Sequence, residues 1–219
     1  MAVPLFDTRT PLEPLRGEID AAIARVLDGG QFILGPEVAA FESEFAAWCG
    51  TKHAVGVANG TDALTIALRA MGVGPGDEVV VPSFTFYASA EAIPPTGATP
   101  VFCDVDPETF CVTADAVKAA LTPNTKAVIA VHLFGNVAPV KEIEALGVPV
   151  LEDAAQAAGA RSPDGRPPTR RGEEAASSGS PPAARRGASC SRAAGRRPCP
   201  SSRGIAACAR SRRSNRPRS

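Results

Sequence analysis

The pattern of apolar and polar positions predicts two helices at the start of the chain. Apolar residues recur at three- and four-residue steps over residues 11–30, which indicates an amphipathic helix that Gly29 and Gly30 end. After a short connector, Pro36 is suited to the first turn of a second helix, which ends at Gly50. The apolar face of that second helix consists of Val38, Phe41, Phe45 and Trp48.

Beyond residue 52, short apolar runs alternate with helical segments of about ten residues. The predicted strands are 53–57, 78–81, 100–105, 127–133 and 148–151. The predicted helices are 63–71, 87–92, 113–121 and 137–146. This alternation predicts an α/β fold, a three-layer sandwich in which helices cover a mostly parallel sheet joined by right-handed crossovers.

Charge and composition divide the chain into two parts. Residues 1–161 hold 9 lysines and arginines against 20 aspartates and glutamates, a net charge of −11, whereas residues 162–219 hold 14 arginines against 3 acids, a net charge of +11. Of the last 58 residues, 49 are Arg, Ser, Ala, Pro or Gly, and Ile205 is the only large apolar residue. We therefore predict one folded unit over residues 1–161 and a disordered tail over residues 162–219.

The six cysteines and the apolar runs bear on localisation. No cysteines form a C-x-x-C pair, and Cys49, Cys103 and Cys111 lie in apolar or helical surroundings, so we expect reduced thiols rather than disulfides or a metal site. No apolar run is long enough to span a membrane, and no basic segment followed by an apolar run begins the chain. These features predict a cytoplasmic protein.

The stretch from Val148 to Gln156 is the richest in chemistry. A strand buried on both faces runs directly into Glu152 and Asp153, and the carboxyl end of a strand is where open α/β sheets bind ligands. A shielded carboxylate there requires a cationic partner, such as a protonated ring nitrogen of a cofactor. Alternatively, both acids cap the next helix or lie in solvent.

Two further segments could face the same ligand. Gly60 and Thr61 begin a predicted helix, where backbone amides and the Thr61 hydroxyl would suit a phosphate, although Asn59 or Thr61 could equally be an ordinary helix cap. Residues 82–87 place aromatic groups after another strand, where one could lie on a planar ring or simply pack in the core. Phosphate, planar ring and protonated nitrogen together describe pyridoxal 5′-phosphate (PLP).

Six sequence blocks extend this pattern along the chain. They are Phe32-Ile33-Leu34-Gly35-Pro36-Glu37-Val38, Gly56-Val57-Ala58-Asn59-Gly60-Thr61-Asp62-Ala63-Leu64, Gly74-Pro75-Gly76-Asp77-Glu78-Val79 through Pro82-Ser83-Phe84-Thr85-Phe86, Gly97-Ala98-Thr99-Pro100-Val101-Phe102, Val131-His132-Leu133-Phe134-Gly135 and Glu152-Asp153-Ala154-Ala155-Gln156. In order and spacing, residues 4–161 resemble the DegT/DnrJ/StrS family of sugar aminotransferases, which are fold-type I PLP enzymes.

The resemblance implies a cofactor site and a reaction. Gly60 and Thr61 would hold the cofactor phosphate, Phe86 would stack on the pyridine ring, Asp153 would pair with the pyridine nitrogen, and Gln156 would bond near the phenolic oxygen. His132 is expected to be structural. The family moves an amino group, usually from glutamate, to a keto group on a nucleotide-linked sugar, and its members are homodimers with the site at the subunit interface.

The chain departs from the family at the residue that family members use as a nucleophile. In the family, a Ser-Phe-x-x-x-Lys segment follows Gln156, and its lysine forms the Schiff base with PLP. Here no lysine follows Lys141, so covalent attachment at the family position is not possible and we expect no catalytic residue and an inactive chain. A slip of the reading frame near residues 164–166 would explain both the missing segment and the arginine-rich tail.

Two other interpretations stay open at this stage. A disordered arm of charge +11 could make the chain a non-catalytic binding protein for nucleic acid or an acidic partner. Because the arm has no aromatic residue to stack on bases, we do not expect nucleic acid to be a partner. A cofactor-holding protein without the lysine would leave the edge of the sheet bare.

Overall fold

The computed structural model of the protein describes residue 7, residues 9–162 and residue 165. The predicted disorder of the tail, and its origin in a slipped reading frame, concern residues 162–219. Apart from Ser162 and Gly165, those residues lie outside the described part of the chain.

A four-stranded parallel sheet forms the centre of the described fold. Its strands are β1 (Glu78–Pro82), β2 (Thr99–Cys103), β3 (Thr125–Val131) and β4 (Val150–Asp153), in the order β2-β1-β3-β4. All three pairings are parallel, with Val80 opposite Val101 and Val128, and Ile129 opposite Leu151. The predicted parallel sheet is confirmed, and so are four of the five predicted strands.

The helices lie in the segments where the pattern predicts them. They are α1 (Arg9–Leu12), α2 (Arg16–Gly29), α3 (Pro36–Cys49), α4 (Gly60–Ala70), α5 (Tyr87–Glu91), α6 (Ala114–Ala120) and α7 (Val140–Glu144). Short 3-10 turns cover Glu13–Leu15, Pro94–Thr96 and Leu133–Gly135. In the described ranges, none of these helices combines the length and the apolar character that a bilayer crossing requires.

The two faces of the sheet carry separate cores because successive residues of a strand point to opposite sides. One face, which we call the α4 face, packs Val79, Ile129 and Leu151 against residues of α4 such as Leu68. The other, which we call the α7 face, packs Val80, Val128 and Ala130 against Val117 of α6 and Ile143 of α7. Helices on both sides of one sheet make the predicted three-layer sandwich.

The prediction of one continuous helix over residues 11–30 is wrong, because the helix is interrupted. The chain forms α1, then a 3-10 turn over Glu13–Leu15, and then α2, so the helix is interrupted at Pro14. Proline has no backbone N–H to donate and its ring clashes with the preceding turn, which disfavours a continuous helix. Gly30 ends α2 as predicted, with a φ of 65° and its N–H donated to the Val26 carbonyl.

The strand predicted over residues 53–57 is also wrong. This segment belongs to no helix and to no strand of the described sheet, and Val55 is 63% exposed. The Gly56 N–H donates to a side chain, the Glu42 carboxylate, at 2.7 Å. A strand requires a neighbouring backbone to pair with, and the described residues provide none here.

A glycine fixes the entry into β2. Gly97 has a φ of 90°, and a Cβ at this position would lie 2.8 Å from Cγ of Pro75. Any larger residue would therefore be strained both by its backbone conformation and by this contact. The Gly74-Pro75-Gly76 and Gly97 blocks, 21 residues apart from Gly76 to Gly97, thus meet in space.

Candidate cofactor site

A cleft of about 350 Å³ opens at the carboxyl ends of β3 and β4. It is bordered by the beginning of α4, by the segment that leads into α5, and by residues 152–156. Because the strands are parallel, their carboxyl ends meet at one edge, which is where α/β sheets bind ligands. A cavity of this size lies within the range of small-molecule sites.

The first turn of α4 presents unpaired backbone donors to the cleft. Asn59 caps the helix: its side-chain oxygen accepts the Asp62 N–H at 2.9 Å, and its carbonyl accepts the Ala63 N–H. The amides of Gly60 and Thr61 have no hydrogen-bond partner among the described residues, and both residues line the cleft. The cap is therefore compatible with an anion site, since it leaves the first two amides available.

Phe86 lines the same cleft and takes little part in the core. It immediately precedes α5, and it is 73% exposed. Its neighbours Phe84 and Tyr87 are also among the exposed large apolar residues. The alternative in which these aromatic side chains simply pack in the core is therefore wrong.

Asp153 ends β4 on the α4 face, where its carboxylate is held by two donors. Oδ2 accepts the Ser89 hydroxyl at 2.9 Å, and Oδ1 accepts the Ala155 N–H at 3.2 Å. Asp153 also borders the cleft, so this carboxylate is both oriented by the protein and accessible to a ligand. The alternative in which it lies in solvent does not fit these contacts.

Glu152, the preceding residue, points to the other face. Its Oε2 lies 2.8 Å from Nε2 of His132, a side chain that is fully buried, with 0% exposure. Nδ1 of His132 accepts the Ala138 N–H at 3.1 Å, so the proton of a neutral ring is on Nε2 and is donated to Glu152. The pair joins the ends of β3 and β4 by a hydrogen bond from the buried ring, in agreement with the structural role expected for His132.

Gln156 contributes a donor to the cleft. Its Oε1 accepts the backbone N–H of Phe134 at 2.8 Å, and Phe134 has a left-handed φ of 56°. Because an N–H must face an oxygen, this contact fixes the orientation of the carboxamide. The amide NH2 of Gln156 is therefore the part of the side chain that can donate to an acceptor atom of a ligand.

These residues fit PLP. Two unpaired amides and the Thr61 hydroxyl suit its phosphate, an exposed phenyl ring suits the pyridine, and an oriented carboxylate suits the ring nitrogen. None of the residues that line the cleft is a lysine. Gly60, Thr61, Phe86, Asp153 and Gln156, the five residues proposed from the sequence, all border this one cleft.

Sequence reasoning missed the residue that holds Asp153. Ser89 is 64 positions away in the chain, within the five-residue helix α5, and nothing in its local sequence distinguishes it from an ordinary helical serine. The sequence did indicate that Glu152 and Asp153 lie on opposite faces of the sheet. Because side chains alternate along a strand, one of two consecutive acids must leave the face that the other occupies.

The sequence profile of the DegT/DnrJ/EryC1/StrS aminotransferase family matches residues 14–178. The chain belongs to this family. Its members are PLP-dependent, which agrees with the groups that line the cleft.

Named relatives show the kind of enzyme that this family contains. The chain is 53% identical over 165 residues to a dTDP-3-amino-3,4,6-trideoxy-alpha-D-glucose transaminase from Streptomyces venezuelae, covering 73% of the chain and 43% of that enzyme. It is 51% identical over 164 residues to a UDP-N-acetyl-3-dehydro-alpha-D-glucosamine 3-aminotransferase from Acidithiobacillus ferrooxidans, covering 73% and 44%. The chain thus spans less than half the length of these two aminotransferases.

A solved structure gives the same result for the fold. The crystal structure of S. venezuelae DesV in complex with a ketimine intermediate matches with a TM-score of 0.72 and 50% sequence identity, over 75% of this chain and 45% of DesV. The α/β fold of the aminotransferase family is therefore present in the described part of this chain.

Proposed function

We propose that this chain forms the cofactor-binding part of a nucleotide-sugar aminotransferase. In such an enzyme an amino group passes from glutamate to the keto group of a sugar linked to a nucleotide such as dTDP or UDP. The observation that carries the proposal is the meeting of Gly60, Thr61, Phe86, Asp153 and Gln156 around one cleft. The family membership and the names of the relatives support the substrate class.

Each of the five residues has a distinct task in this proposal. The Gly60 and Thr61 amides bind the phosphate, with the positive end of α4 behind them. The Phe86 ring would stack on the pyridine and shield it from water. Asp153 would hold a proton on the pyridine nitrogen through a charged hydrogen bond, and the amide NH2 of Gln156 would donate to the phenolic oxygen.

When bound, PLP supplies an electron sink for the change at the amino-bearing carbon. The protein must then provide a base to move the proton at that carbon, a task that a lysine performs in the family. No lysine follows Lys141, and none lines the cleft. We therefore propose that this chain holds the cofactor without a covalent bond and does not complete the transfer by itself.

We also propose that the protein is cytoplasmic and self-associates as a homodimer. In the part of the chain that the structure describes, Cys103 and Cys111 are buried free thiols, which suits a reducing compartment. Between α2 and α3, the chain exposes Ile33 and Leu34, each more than three-quarters accessible. A run of exposed apolar residues of this kind supports the proposal, since larger apolar patches often form protein–protein interfaces.

The phosphate contact can be tested with one pair of variants of the full chain. Pro is tolerated at the first position of a helix, and Asn59 has the extended backbone that a following Pro requires, so Gly60→Pro removes one amide donor and keeps α4. Gly60→Ala retains the donor, and its Cβ meets nothing within 4 Å. We expect Gly60→Pro to weaken binding of pyridoxamine 5′-phosphate (PMP) about tenfold, the loss of a hydrogen bond to a charged group, and Gly60→Ala to leave it unchanged.

Calorimetric titration of each variant with PMP, and with pyridoxamine, which has no phosphate, provides the measurement. Pyridoxamine should bind weakly and equally to all three proteins. Wild-type protein that fails to bind PMP saturably would refute the cofactor-binding function. Equal PMP affinity in the Pro and Ala variants would place the phosphate elsewhere.

A further inference from the structure

A buried serine connects α5 to the carboxylate of Asp153. Ser89 is 1% exposed, and its Oγ donates to Oδ2 of Asp153 at 2.9 Å. The second carboxylate oxygen accepts the backbone N–H of Ala155 at 3.2 Å. With one donor on each oxygen, the plane of the carboxylate is fixed relative to both β4 and α5.

A second hydroxyl, that of Thr85, lies next to the first and also borders the cleft. Oγ1 of Thr85 lies 3.2 Å from Oγ of Ser89. A hydroxyl has a single proton, and that of Ser89 is donated to Asp153, so Thr85 must be the donor and Ser89 the acceptor. The three side chains therefore form a directed series from Thr85 through Ser89 to Asp153, in which each bond polarises the next.

We infer that Ser89 is a positioning residue, which orients the Asp153 carboxylate toward the protonated ring nitrogen, and that Thr85 supports it. The inference rests on the proposed function, since it concerns the same cleft. A carboxylate that meets a ring N–H must point along one direction, and a free carboxylate at the end of a strand would rotate among several. The Ser89 bond to Oδ2, made by a side chain that is itself locked by burial, removes that freedom.

The test compares two ligands that differ only at the ring nitrogen. PMP carries the nitrogen that Asp153 would meet, and its 1-deaza analogue has a CH group in that place. We expect wild-type protein to prefer PMP to the analogue. Ser89→Ala should weaken PMP binding about tenfold and change binding of the analogue by less than about twofold, because only the interaction with the nitrogen depends on the orientation of Asp153.

Thr85 provides a matched pair for the second hydroxyl. Thr85→Ser retains the donor, so its affinity for PMP should equal that of the wild type. Thr85→Val conserves the shape and removes the donor, and we expect PMP binding about threefold weaker with no change for the deaza analogue. Fluorescence titration of the full chain with each ligand measures all of these affinities.

The outcomes separate this inference from the proposed function. Ser89→Ala that weakens both ligands alike would show that the serine only supports the fold, and Ser89→Ala with wild-type affinity for PMP would show that Asp153 needs no such support. Either result overturns the inference while PMP still binds. Wild-type protein that binds neither ligand, or that binds both equally, overturns the proposed cofactor site itself and the positioning role with it.

Discussion

The two faces of the parallel sheet end differently at its carboxyl edge. On the α4 face, the last strand residue is Asp153, and its carboxylate borders an open cleft of about 350 Å³ while Ser89 holds it from behind. On the α7 face, the residue before it is Glu152, which bonds to a fully buried His132. Two acids that are adjacent in sequence and both border the cleft therefore have different partners, a serine hydroxyl for Asp153 and a buried imidazole for Glu152.

The difference teaches how an α/β sheet assigns roles to neighbouring side chains. Parity along β4 sends Asp153 to the side of Leu151 and Glu152 to the side of Val150. The role of each acid then depends on the side chain that its face of the sheet places beside the carboxyl end of β4. The Ser89 hydroxyl orients the Asp153 carboxylate and leaves it able to accept a hydrogen bond from a cationic ligand. The Glu152 carboxylate instead accepts its hydrogen bond from the buried His132 ring within the protein.

Among the tests of this difference between the two faces, we expect the largest effect from a substitution of His132, which should lower stability. His132→Ala leaves the Ala138 N–H and the Glu152 carboxylate without their partner and opens a cavity, so we expect the free energy of unfolding to fall by about 3 kcal/mol. His53→Ala is the control, because His53 is the only other histidine and is exposed; it should change stability by less than about 0.5 kcal/mol. Urea denaturation measures both variants.

The same variant has an expected result for ligand binding. At a temperature where His132→Ala remains folded, its affinity for PMP should stay within about threefold of the wild type, since His132 is not among the residues that line the cleft. A loss of PMP binding larger than the loss of stability would mean that the His132–Glu152 pair belongs to the cofactor site, and the contrast between the faces would disappear.

A smaller effect, on binding, separates the two acids directly. Asp153→Asn keeps one oxygen for the Ser89 hydroxyl, loses the acceptor for the Ala155 N–H and has no charge for a protonated ring nitrogen, so we expect PMP to bind about 100-fold more weakly. Glu152→Gln still offers an oxygen to Nε2–H of His132, and PMP affinity should change by less than about threefold. Calorimetric titration of both variants decides the matter: comparable losses would show that parity along β4 does not divide the roles.

Much of the sheet could be predicted because its strands are buried on both faces. Val79, Val80 and Val81 in β1, and the run Ala127–Val131 in β3, read as continuous apolar segments because each face has a core of its own. Residues 53–57 show the limit of this approach. Their local pattern is strand-like, but a strand exists only where another backbone accepts its hydrogen bonds, and a local pattern holds no information on that partner.

The candidate site divides in the same way. Residues of the sequence blocks, such as Gly60 and Gln156, could be assigned to one ligand because each has a recognisable place relative to a strand end. Ser89 could not, since its contact with Asp153 depends on how α5 packs against the α4 face, 64 residues earlier in the chain. Pro14 is the opposite case: the break that it causes in the first helix was visible in the sequence itself.

The smallest expected effect concerns a thiol on the α7 face. Burial, with a lesser contribution from the nearby Asp104 carboxylate, raises the pKa of the Cys103 thiol from 9.0 to about 11. Its stabilising contribution is therefore complete below pH 9 and is lost as the pH rises toward 11, because the thiol ionises more readily once the chain unfolds. We expect wild-type protein to lose about 1 kcal/mol more of its free energy of unfolding than Cys103→Ala between pH 8 and pH 11, allowing for partial screening by solvent. Urea denaturation of both proteins across this range measures the difference. If the free energies of unfolding of the two proteins changed in parallel with pH, the end of β2 would be open to water in the folded protein. This part of the α7 face would then be less well shielded than the His132–Glu152 pair.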